Sequence, residues 1–249
     1  MSRDLDFAAA RKLLVRLGDL AEHLVLVGGQ AVNFWAERYR DEVPALAAAA
    51  PFTSKDVDFC GGPEDVDAIA ARLGGEAHHA EPFDPGPNVG VVLAKDDADK
   101  PIRIDILRAP FGLDAAEVRR LSVGLDEVLE DGSVAPLRVM HPVISMEARA
   151  HNTASLPGYA GPEGVQQLRA SVLCAREFLR EILQDGRVRD VLKLNERIFR
   201  FRLHQEAARL VLERHQVDVF EAVLDDAALP EAFRTVRLPQ MRAELAAST

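Results

Sequence analysis

The chain has 249 residues, 48% of them hydrophobic, and a formal net charge of −10. That is enough for a packed core in one large domain or two modest ones. The acidic balance argues against broad, sequence-blind binding of long nucleic acid, which rests on cationic phosphate contacts. It leaves room for a local basic patch, a small acceptor such as a tRNA end, or a basic protein partner. No segment reaches the roughly 18 consecutive apolar residues of a membrane span. The first residues lack the pattern of a secretory signal. Cys60 and Cys174 are too few for a disulfide framework. A cytoplasmic protein without a membrane partner is expected.

Taken in chain order, residues 7 to 22 read as an amphipathic helix and 24 to 27 as a buried strand. Gly28-Gly29 makes the turn that follows, and residues 30 to 39 form a helix whose N-terminal amides can face an anionic phosphate. Residues 45 to 50 are an alanine-rich connection or short helix ended by Pro51. The Asp56-Val57-Asp58-Phe59 strand comes next, then a helix over 63 to 73. Residues 82 to 88 form a Pro/Gly-rich loop between two strands. The segments 89 to 94 and 102 to 107 read as paired strands, joined by a solvated charged turn over 95 to 100. Two more short strands fall near 123 to 129 and 134 to 139. His78-His79 lacks zinc-site spacing and reads as surface.

From His141 the pattern turns helical. Gly158, Gly161 and Pro162 precede a periodic stretch over 165 to 183, and Gly186 separates it from another over 188 to 215. The expected fold class is therefore α/β (α+β). A mixed sheet with flanking helices occupies residues 1 to 140, and an all-helical half occupies 141 to 249.

Side chains two apart on a strand share a face. Asp56 and Asp58 therefore project together, away from Val57 and Phe59. On the later strand Ile102, Ile104 and Ile106 share one face, while Arg103, Asp105 and Leu107 share the other. Aspartate is disfavoured in strands, and clustered carboxylates repel one another unless a cation lies between them. Mg²⁺, or Mn²⁺, suits such a site because it prefers oxygen ligands and keeps positions open for phosphate oxygens. The order strand, Gly-Gly, helix, Asp-x-Asp strand, third acidic strand thus points to divalent metal held against the phosphates of a nucleotide.

These residues resemble the nucleotidyltransferase superfamily that shares the DNA polymerase β-like catalytic fold. The Val27-Gly28-Gly29-Gln30-Ala31 and Lys55-Asp56-Val57-Asp58-Phe59 segments look most like its AbiEii-type abortive-infection toxins. The resemblance covers about residues 24 to 108. One departure stands out: branch members carry a Lys soon after a Ser-Pro or similar turn, whereas His141-Pro142 is followed by Glu147 and Arg149. Arg and Lys are not interchangeable at such sites.

The resemblance implies attack by an acceptor oxygen on the α-phosphorus of a nucleoside triphosphate, with pyrophosphate leaving. In that reading Asp56 and Asp58 hold the metal ions that grip the triphosphate. Asp105 completes the acceptor side and helps the hydroxyl lose its proton. Gly28 and Gly29 let backbone approach phosphate, Ser54 and Lys55 are candidate nucleotide contacts, and Arg103, on the Asp105 face, is either a nucleotide contact or the salt-bridge partner of an acid. The acceptor would be a hydroxyl of RNA, protein or a small molecule, and a toxin would bring an antitoxin partner. Along the helix after Gly186, Arg189, Lys193, Arg197 and Arg200 share about a quarter of the circumference. Lys193 and Arg197 are read as a cationic wall for triphosphate or acceptor, against an ordinary solvated face. Two other functions fit the same acids: a non-catalytic nucleotide-binding or protein-interaction module, and a metal-dependent phosphohydrolase.

Overall fold

The computed structural model describes residues 5–81, 83, 86–96, 99–128, 132 and 134–248. It divides into two compact units, Met1–Ser145 and Met146–Thr249.

The first unit opens with β1 (Leu5–Asp6), α1 (Phe7–Leu17) and α2 (Leu20–His23), followed by β2 (Val25–Val27), α3 (Gly28–Tyr39) and α4 (Pro44–Ala49). β3 (Thr53–Ser54), β4 (Val57–Cys60), α5 (Pro63–Leu73) and β5 (Glu76–His79) come next. β6 (Asn88–Lys95), β7 (Pro101–Leu107), α6 (Ala115–Leu121), β8 (Val123–Val128) and β9 (Val134–Val139) complete the sheet. Among the described residues its seven strands run in the order β5-β6-β7-β4-β2-β9-β8. β4 pairs parallel to β7 and β2 parallel to β9, while the other neighbours are antiparallel. The mixed sheet expected from the sequence is present, and β1 pairs separately with β3.

The central strands are the most apolar. All of β2 is buried, as are Val57, Phe59 and Cys60 on β4 and Ile102, Ile104 and Ile106 on β7. On α3 the ring of Trp35 stacks on Tyr39 with centroids 6.1 Å apart, and its Nε1–H donates to the Met140 carbonyl at 2.9 Å. That bond satisfies the polar end of a side chain only 1% exposed. α5 shows a start signal and a stop signal. The Gly62 amide donates to Asp65 Oδ2 at 2.7 Å at its start, and Gly74 takes the left-handed conformation at its end.

Several boundaries differ from expectation. The helix expected over 7 to 22 breaks at Gly18, whose φ of +58° ends α1 before α2 begins. The helix expected from residue 30 starts two residues sooner, so the glycine pair forms its first turn. The charged turn after β6 is solvated as expected: Lys95 pairs with Asp99 at 2.7 Å, and the Lys100 amide donates to Asp96. Residues 97 and 98 of that turn, 82, 84 and 85 of the expected loop, and 129 of the expected strand lie outside the described residues.

α7 (Pro142–Ser155) runs across the division between the units. The second unit continues with α8 (Pro162–Gln184), α9 (Val188–His204), α10 (Glu206–His215) and α11 (Leu238–Ala247). Val191, Ile198 and Phe201 of α9 are buried, beside a fully buried Asn195. The amide of Asn195 donates to the Leu224 carbonyl and its oxygen accepts the Leu224 amide, so the polar group is satisfied both ways. The continuous helix expected over 188 to 215 is broken at Gln205, which is extended (φ −93°, ψ 126°). No Gly or Pro marks the break. Among the described residues no helix is long and apolar enough to cross a membrane, and both cysteines are buried and free.

Candidate active site

The acids converge because three strands meet in register. Asp58 on β4 lies opposite Val27 of β2 on one side and opposite Asp105 of β7 on the other. Asp56 precedes β4 by one residue and joins them, so that one carboxylate oxygen from each of Asp56, Asp58 and Asp105 lies within 4.8 Å of the others. Asp56 and Asp58 are half-buried and Asp105 is buried. The alternation read from the sequence holds at the centre of both strands: Val57 and Phe59 are buried behind Asp58, and Ile104 and Ile106 behind Asp105.

The turn into α3 is shaped by one of these acids. Gly28 has a φ of +65°, a region that favours glycine. A Cβ built there would lie only 1.8 Å from Oδ2 of Asp58, so the carboxylate packs against the bare backbone at the helix start. A negative charge is stabilised at that end of a helix. Val27, the residue before α3, gives its first turn no side-chain cap. The sequence suggested that the glycines let backbone approach phosphate; at Gly28 the space a Cβ would fill lies against the Asp58 carboxylate.

Arg103 is the counter-charge. Its Nε–H donates to Oδ2 of Asp105 at 2.8 Å and its Nη2 to Oδ1 at 2.7 Å, a two-bond fork. The hydrogen bonds to Asp105, with the added charges of Asp56 and Asp58, raise the guanidinium pKa further above its ordinary value. Of the two roles open to Arg103 in the sequence, phosphate contact or acid partner, the structure shows the second.

The donor chemistry fits a hard divalent cation. All three ligands are carboxylates, and oxygen-only sets suit Mg²⁺ or Mn²⁺ over metals that favour imidazole or thiolate. The remaining expected contacts are spread out. Ser54 is half-buried on β3, Lys55 is exposed in the bend between β3 and β4, and Gly29 is buried in the first turn of α3.

Lys193 and Arg197 belong to α9 in the second unit. Lys193 is exposed, while Arg197 forks onto Glu147 at 2.7 and 2.5 Å. Glu147 is only 4% exposed, so the fork compensates a buried carboxylate. Arg197→Met should lower the stability of the chain by about 2 kcal/mol, the scale of losing a charged hydrogen-bond partner at a buried carboxylate. Chemical denaturation checks this; an unchanged midpoint would refute it. Arg149 is buried in the same unit. It donates to Gln167 at 3.0 Å and lies over the Tyr159 ring.

No family model and no curated protein matches the chain. Among solved structures, it is similar to an antigenic nucleotidyltransferase-like protein from Paracoccidioides brasiliensis. The match is 9% identical with a TM-score of 0.41, covering 68% of this chain and 78% of that one.

Proposed function

We propose that the chain is a metal-dependent nucleotidyltransferase that moves a nucleoside monophosphate from a nucleoside triphosphate to a hydroxyl. The observation that carries this reading is the convergence of Asp56, Asp58 and Asp105 from adjoining strands onto one point. In the reaction the acceptor hydroxyl gives up its proton to Asp105 or water, its oxygen forms a bond to the α-phosphorus, the bond to the β-phosphate oxygen breaks, and pyrophosphate leaves. Asp56, Asp58 and Asp105 would hold the metal. When bound, it neutralises triphosphate charge and stabilises the attacking and leaving oxygens. The chain supplies the rest by position. Asp58 is fixed by the Gly28 turn and by strand register, and Asp105 is fixed by its place on β7. Preorganised charge of this kind is the main lever for phosphoryl chemistry.

The Val27–Ala31 and Lys55–Phe59 segments support assignment to the AbiEii-type branch. On that reading the acceptor is RNA or protein, and the net charge of −10 suits a basic antitoxin partner. The test is incubation with each α-labelled nucleoside triphosphate, Mg²⁺ or Mn²⁺, and cell RNA or protein, followed by location of the label. Transfer leaves label on a macromolecule and releases pyrophosphate. Labelled nucleoside mono- or diphosphate without transfer indicates a phosphohydrolase. Nucleotide binding with neither product indicates a binding module.

A further inference from the structure

Asp105 is the most buried of the three acids, and both of its oxygens are engaged by a single guanidinium. An ionised carboxylate offers about four lone-pair positions. A parallel fork uses one on each oxygen, on the side from which an ion could otherwise bridge them. A divalent cation sits only about 2 Å from its oxygen ligands. Approaching from that side it would meet the guanidinium, and a single positive charge so close to a double one is strongly repelled.

The two partners differ in what separation costs them. The Arg103 side chain is 50% exposed, so its charged end can swing into water. The Asp105 side chain is 7% exposed, and without a cation it would be a buried charge lacking compensation. Asp105 therefore requires a positive partner at all times, while Arg103 does not require Asp105.

Building on the metal-binding reading above, we propose that Arg103 is the built-in counter-cation of the site. It holds Asp105 in the metal-free protein and gives up at least one of its oxygens when a divalent cation binds. The competition between guanidinium and metal sets the concentration at which the site loads. It also keeps the three acids from destabilising the sheet before loading.

The test uses the full chain, with Mn²⁺ as the probe, followed through the electron paramagnetic resonance signal of the free ion. Melting without metal is measured in parallel on the parent, Arg103→Gln, Arg103→Lys and Asp105→Asn. Arg103→Gln should bind Mn²⁺ about tenfold more tightly than the parent while melting lower without metal. Arg103→Lys, which keeps the charge but loses the fork, should lie between the two in both measurements and gives a folded comparison should the glutamine variant misfold. If the parent binds Mn²⁺, Asp105→Asn loses it, and both Arg103 variants bind equally or more weakly, the arginine orients Asp105 and does not compete. That result overturns the proposal and leaves the metal site standing. If the parent binds no Mn²⁺ at millimolar concentration, the metal reading fails and takes the proposal with it.

Discussion

Asp58→Asn should lower metal-dependent pyrophosphate release by more than about a hundredfold, since even groups that only support a metal ligand are worth 10- to 100-fold. The substitution keeps shape and removes one charge from a crowded triad, so the fold should survive. Without metal the variant should melt at least as high as the parent, because repulsion among the acids is relieved. With saturating Mg²⁺ and nucleoside triphosphate the parent should gain stability. Ligand at 100 times its dissociation constant contributes about 2.7 kcal/mol, or a rise of about 5 to 10 °C for a chain of this size. The variant should show little of that rise. Full activity in the variant would refute the site; a parent with neither a melting shift nor pyrophosphate release would favour the non-catalytic module.

Gly28→Ala should be costly in a different way, losing about 3 kcal/mol of stability and metal binding together. A left-handed conformation costs a residue with a Cβ about 1 to 2 kcal/mol. The new atom also falls 1.8 Å from the Asp58 carboxylate oxygen, so the acid or the start of α3 must shift. Denaturant midpoint and Mn²⁺ titration check both halves. A variant that is destabilised but binds metal like the parent would show that Asp58 escapes by rotating, and that the turn does not position it.

What the sequence revealed followed from short-range periodicity. The alternation around Asp58 and Asp105 needed only the two-residue repeat of a strand, and both acids lie on the face it predicts. The glycine at residue 28 was visible, but not its partner, because the meeting of Gly28 with Asp58 depends on β2 lying beside β4. Arg103 was ambiguous for a related reason. Its place on β7 put it beside Asp105, yet a long side chain there can reach an acid or a phosphate, and only the rotamer decides. Gly18 carried a stop signal that helical periodicity obscured. The break at Gln205 carries no local mark. α11 falls inside the half expected to be helical, and Leu238, Met241 and Leu245 are buried at helical spacing along it.

The chain has a single tryptophan, Trp35, and it lies in the core of the first unit. Its emission therefore gauges the shielding of α3 and the surrounding sheet, while the far-ultraviolet dichroism draws on the long helices of the second unit as well. Denaturation curves from the two signals that separate would mean the halves melt as independent cooperative blocks; curves that overlay would mean they melt as one.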